Sequence, residues 1–203
     1  MKQNANVIST YGDIVLSNYP VEVTVLQLEL RLPQPDEPAN KKHIVDFIHH
    51  RLHRRYLTPL QKIPKEFKSG FLMMASACLL IESLQQFHLG KNDTRGQSEA
   101  AFKAFFEREE KLFPGFAADN HNFYVNIRCG IFHQAETKGG FRILRRGALF
   151  DLQHKTINAD AFIKSLERSL KNYTDKLRVA ESDSEFWKCA VKKVKYICDN
   201  CQT

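Results

Sequence analysis

The stretch Phe71 to Phe87, FLMMASACLLIESLQQF, constrains the fold more than any other part of the chain. It is apolar on nearly every face, so a helix made from it must be surrounded by other elements rather than laid on a surface. The expected element runs from Glu66 to about Leu89, after Pro59 and Pro64 have broken the chain, as the central helix of a bundle. Its longest apolar run, Phe71 to Ile81, is interrupted by Ser76 and followed at once by Glu82, short of the roughly 18–20 residues a membrane span needs. The first residues, MKQNANVIST, lack the charged-then-apolar layout of a secretory signal. A cytoplasmic location with no membrane partner is the expectation.

The flanking sequence divides into amphipathic pieces. From about Lys41 to Tyr56, Ile44, Phe47, Ile48 and Leu52 form one apolar stripe, and His49, His50, His53 and Arg54 occupy the opposite face. Ser98 to Phe113 places Ala101, Phe102, Phe105, Phe106 and Leu112 inward, as core and not as a base-stacking platform, and Pro114-Gly115 ends it. Asn158 or Asp160 caps a helix with the stripe Phe162, Leu166, Leu170, Tyr173 and Leu177. Ser182 to Glu185 has capping-box spacing before a last helix with Trp187, Ala190, Val191, Val194 and Ile197 inward. Gly90 to Gln97 reads as a polar loop without order of its own.

Residues 1–32 lack a helical pattern. Val21, Val23 and Val25 alternate with polar residues, then the phase slips to Leu26, Leu28 and Leu30, which suggests a bulged strand. Asp13 to Leu16 is its candidate partner across Ser17 to Pro20. The proline-punctuated segment Leu32 to Pro38 is the best boundary, dividing a strand-like segment and linker, 1–38, from a helical domain, 39–203. Two short runs around Arg145-Arg146-Gly147 predict a β-hairpin over 141–152, paired with the N-terminal strands. The fold class is therefore mainly α, a helical bundle with a small β-hairpin and N-terminal strand appendage.

Net charge +7 and a pI near 9.2 favour anionic partners without selecting one. Basic residues cluster at Arg51 to Arg55, Arg142 to Arg146 and Lys188 to Lys195. Five cysteines, an odd number, argue for reduced thiols. His49 and His53 share a face, and Cys198 and Cys201 have the spacing of a zinc half-site, but neither pair has further ligands nearby, so no metal is expected. Phosphate-loop, dinucleotide and His-Glu-x-x-His patterns are missing from the sequence.

The chemistry-bearing stretch is Asn120 to Ile143. Phe123, Tyr124, Ile127 and Ile131 lie on one helical stripe, and the polar run to Gly139-Gly140 stops the helix near His133 or shortly beyond. Arg128 and His133 are five residues apart, so about 140° separates them around a regular helix. Gly130, a weak helix former, would let the last turn unwind and bring both to one mouth. Glu82 either sits on an exposed helix edge or orients the Arg128 guanidinium through a bidentate pair. For RNA, an arginine and a histidine suffice for one reaction. A base removes the 2′-hydroxyl proton, the oxygen attacks phosphorus, and a cation stabilises the charged intermediate.

The string Ile127-Arg128-Cys129-Gly130-Ile131-Phe132-His133-Gln134-Ala135 resembles the signature of the higher eukaryotes and prokaryotes nucleotide-binding (HEPN) superfamily. In that superfamily an Arg, four to six spacers and a His sit near a helix end. A polar residue commonly follows the Arg; here Cys129 stands where Asn, Asp or His is usual, and a thiol is only a weak donor. The resemblance implies a HEPN-like bundle acting as a metal-independent endoribonuclease without cofactors, its site shared across a homodimer cleft. It makes Arg128 the phosphate clamp and His133 the acid/base, with Asn122, Asn126 and Cys129, at helical spacing from His133, as orienting groups. Lys138, Arg142, Arg145 and Arg146 follow directly and are candidate phosphate contacts. A toxin or defence role is implied as well, with an antitoxin or regulatory protein as a further partner. Other members are inactive scaffolds, which gives the alternative of a non-catalytic RNA- or protein-binding dimer.

Overall fold

The computed structural model describes residues 11–18 and 20–201. Its centre is helix α4, Gly70–Leu89, which buries Met73, Met74, Ala77, Cys78, Leu80, Ile81, Leu84 and Phe87. Around it pack α5, Ser98–Arg108; α8, Ala159–Val179; and α9, Glu185–Asp199, with α2, Pro38–Leu52, lying against α8. Each fully buried Leu, Ile, Met or Phe contributes about 1.5–3 kcal/mol, so this contact set holds the bundle. By length and composition alone α4 could cross a membrane, but 56% of its most apolar window is buried inside the bundle. It begins at Gly70, not Glu66, and Ile143 crosses its first turn so closely that a Cβ on Gly70 would come within 2.8 Å of Ile143 Cγ2. It ends at Gly90, whose left-handed φ of 58° closes the helix.

The expected phenylalanine core is present. Phe102, Phe105 and Phe106 of α5 join Phe113, Phe116, Phe123 and Phe162 in one buried, mostly edge-to-face cluster. The stripes of α2, α8 and α9 also point inward, and Asn158 caps α8 by accepting from the Ala161 amide. The cap of α9 is Ser184, which accepts from the Trp187 amide, not Ser182.

The small strands differ more from expectation. β1, Val15–Asn18, and β2, Glu22–Thr24, form an antiparallel pair with a register shift between Val15 and Ser17. Tyr19, in the turn proposed between them, lies outside the described residues, as do residues 1–10 of the N-terminal segment. The phase slip after Val25 is not a bulged strand. It is the start of a helix, α1, Val25–Glu29, fixed by a capping box between Thr24 and Gln27. Val25 and Leu28, three apart, are fully buried, and Leu26 and Leu30 are exposed. Leu16, Val23, Val25 and Leu28 belong to the same apolar cluster as the bundle, and Asp36 in the proline-rich segment accepts a 2.6 Å bond from buried Trp187. That segment is therefore tied to the last helix.

The hairpin expected over 141–152 does not form. β3, Arg142–Leu144, and β4, Phe150–Asp151, both pair with a buried third strand, β5, Thr156–Asn158, parallel and antiparallel respectively. The order is β3-β5-β4, and the sheet is separate from β1-β2. A strand of three residues with no alternation is invisible to a period-two reading, and burial decides the pairing. The 90–97 loop is also ordered by contacts: Thr94 is buried, and Lys193 donates to the Asn92 carbonyl at 2.6 Å.

Candidate functional site

Arg128 and His133 lie on one irregular helix. It opens as α6, Asn120–Asn122, widens through a π-helical segment, Phe123–Arg128, and closes as α7, Cys129–Gln134. The wide turn is marked by the Cys129 amide donating to the Tyr124 carbonyl, five residues back. So the distortion runs up to and includes Arg128, and the α-helical turn that follows is regular. Gly130 has a different role from the one expected. A Cβ there would lie 2.5 Å from the Glu136 carbonyl, so glycine admits the returning chain against the helix. The helix stops at Ala135, in left-handed conformation with φ of 54°.

The Arg128 guanidinium turns inward to α4. Its Nε and Nη2 donate to the same Glu82 oxygen, Oε1, at 3.1 and 2.9 Å. The pair is thus two donors on one oxygen, not the side-by-side bidentate fork expected, because the other oxygen is occupied. Thr94 Oγ1 donates to Glu82 Oε2 at 2.9 Å. The exposed-edge alternative for Glu82 falls with this. The rings of Tyr124 and Phe132 flank the guanidinium at 5.6 and 5.0 Å. Burial opposes the arginine's charge, but the Glu82 carboxylate more than offsets it and raises its pKa. Burial, then Cys129 beside it, raises the Tyr124 phenol. Burial likewise pushes up the thiol of Cys78, one turn before Glu82.

The ring of His133 is exposed and makes no hydrogen bond or ion pair with any described residue, Arg128 included. The side chains of the proposed orienting groups make no hydrogen bond to His133 either. Asn122 donates to Asp119 at 2.6 Å, Asn126 packs under Gly139, and Cys129 sits beside Tyr124 and Arg128. Thr94, Tyr124 and Phe132 were missed by sequence reasoning. The two rings carried a usable signal, standing four residues either side of Arg128, where helical neighbours meet; Thr94, in a polar loop, carried none.

Comparison with protein-family models, curated proteins and solved structures finds no match.

The basic residues after the motif separate into two kinds. Arg145 is an anchor: it bonds Asp160 at 3.0 Å, the carbonyls of Ile63, Pro64 and Phe67 at 3.2, 2.7 and 3.3 Å, and Ser69 at 3.1 Å. With its donors filled it has little left for phosphate, which corrects its assignment as a contact. Arg142 donates to the His154 carbonyl, Lys138 is half-buried, and Arg146 is exposed. On α2, His49 bonds Thr174, and His53 bonds Thr58 and Glu167. Burial, then His50 and His53, lowers the His49 pKa to about 4. Among the described residues no three His, Cys, Asp or Glu side chains are grouped to hold a metal.

Proposed function

We propose that this chain is a metal-independent endoribonuclease that acts as a homodimer, with Arg128 gripping the scissile phosphate and His133 moving the proton. The observation that carries the reading is the contrast within one motif: a charge held rigidly between a carboxylate and two rings, and an unpartnered histidine at a helix end. Glu82 uses Nε and Nη2, which leaves Nη1 as the nitrogen it does not engage. His133 has no hydrogen-bonding neighbour among the described residues, and a second copy is an economical source of one. An apolar surface suits such a copy: Leu72 and Leu79, two turns apart on α4, and Phe132 on α7 are all exposed. The partner surface of a two-fold dimer must be self-complementary, as a stripe of this kind is.

In this mechanism the substrate's own 2′-hydroxyl is the nucleophile. His133 takes its proton, the 2′-oxygen bonds to phosphorus as the bond from phosphorus to the 5′-oxygen breaks, a histidinium gives the leaving 5′-oxygen a proton, and the products are a 2′,3′-cyclic phosphate and a 5′-hydroxyl. Arginine suits the clamp because it stays charged and presents a planar fork. The test is a nuclease-free preparation incubated with RNA and with DNA. RNA alone should be cut, chelators should leave the rate unchanged, and His133→Ala should lose roughly 10²–10⁴-fold. Cleavage undiminished in His133→Ala removes the mechanism. The closed Arg128–Glu82 pair also favours a second reading, a non-catalytic dimer in which that pair only stiffens the interface. Absence of any cleavage by the wild-type dimer would select it.

A further inference from the structure

Away from Arg128, two cavities of about 720 and 660 Å³ adjoin, sharing Lys65, Arg145 and Arg146 in their walls. The segment 62–68 runs between them and is held by Arg145, which bonds the carbonyls of Ile63, Pro64 and Phe67. A loop fixed by three of its own carbonyls presents its side chains in a set arrangement. What it presents is unusual in charge. Lys62, Lys65 and Lys68 from the loop, Arg146 beside β3 and Lys164 on α8 are all exposed, and none makes a hydrogen bond or ion pair with a described residue. The acids in the walls are mostly spent: Asp160 pairs with Arg145 and Glu167 with His53, leaving Glu66. Five cations without a partner against one such acid favour an anionic occupant.

The floor is apolar and aromatic. Phe67 is 59% exposed and lines the second cavity with Phe71, Ile143 and Leu144. A ring among lysines suits a ligand that offers a flat apolar face and a negative charge at short intervals, which is a single nucleic-acid strand. An acidic peptide offers the charge without the face.

We propose that this trough holds single-stranded RNA, with phosphates on Lys62, Lys65, Lys68, Lys164 and Arg146 and a base stacked on Phe67. It deepens the ribonuclease reading and rests on it for the choice of RNA, naming where the uncut part of the substrate lies. Helix α4 links the two places. Gly70 is in the trough wall and Glu82 at Arg128, twelve residues on, so about 18 Å separates them along the helix axis. A strand of a few nucleotides is long enough to span that separation.

The experiment measures binding of a fluorescent, 2′-O-methylated oligouridylate of about 12 nucleotides by anisotropy. Such a strand cannot be cut through its 2′ position, so failure of the nuclease reading and failure of this one are separate results. Between about 50 and 200 mM salt the wild type should bind with a steep salt dependence. Phe67→Ala should weaken binding about fivefold or more, the worth of one base stack. Lys65→Gln with Lys68→Gln should reduce the salt slope by about 1.4, at about 0.7 per phosphate contact. Lys111→Gln with Lys188→Gln removes the same charge outside the trough and should leave the slope nearly unchanged. An equal effect from both pairs, no binding at the lowest salt, or Phe67-dependent binding to phosphatidylserine vesicles but not RNA would overturn the proposal.

Discussion

Arg128 and Arg145 are alike in burial and differ in what surrounds them. Their side chains are 18% and 14% exposed, and each faces one carboxylate, Glu82 and Asp160, at 2.9 and 3.0 Å. Arg145 adds three carbonyls and a hydroxyl, so its donors are consumed within the chain. Arg128 adds two aromatic faces, which hold the guanidinium plane without occupying its nitrogens. Position in a basic cluster therefore says little about what an arginine does. The count of acceptors around it decides between staple and clamp.

That contrast can be broken by experiment. The largest effect should come from Arg128→Lys, where the planar fork is replaced by a point charge. RNA cleavage should fall about 10²–10³-fold, equivalent to about 3–4 kcal/mol in the barrier, with the thermal midpoint little moved. Single-turnover rates beside a melting curve test this; normal cleavage with a lowered midpoint would make Arg128 the staple instead.

Arg145→Ala should do the reverse. Asp160 and three loop carbonyls lose their donor, and stability should fall by about 2–4 kcal/mol, or about 5–15 °C in the midpoint. The cleavage step in the folded fraction should persist. A variant as stable as wild type in urea titration would remove the anchor role.

A smaller change is expected at Glu82→Gln. The amide keeps an acceptor for Arg128 and loses the charge, so stability should drop by about 1–2 kcal/mol. If Glu82 positions the clamp, cleavage falls as well; an increase would show that it restrains Arg128. Least of all, Thr94→Val removes one hydroxyl donor to Glu82 and should cost about 0.5–1.5 kcal/mol. A double-mutant cycle with Glu82→Gln should show the two effects to be coupled.

The helical frame was legible in the sequence because burial imposes a period. The stripes of α2, α5, α8 and α9 and the all-round apolarity of α4 each mark a face that must be covered, and the bundle covers them while leaving Leu72 and Leu79 of α4 exposed. The end of the motif helix could be read too, since chain stop signals are local. The short elements could not. Val25 begins a one-turn helix because Thr24 and Gln27 cap it, and Thr156–Asn158 becomes the middle strand only because β3 and β4 come to either side.

At the site, the residue types that support phosphate chemistry were set by sequence alone. Which of them touch was not, because partner choice depends on elements far apart in the chain. Glu82 meets Arg128 across 46 positions and Thr94 across 12, and Arg145 reaches carbonyls some 80 residues earlier. No local pattern encodes such pairings. They exist because the bundle brings charged groups into a poorly solvated place, where each must find an acceptor or donor or lose several kcal/mol. The residue types and the periodic faces follow from the sequence, whereas only the tertiary structure decided that Arg145 spends its donors on five acceptors and that Arg128 faces one carboxylate and two rings.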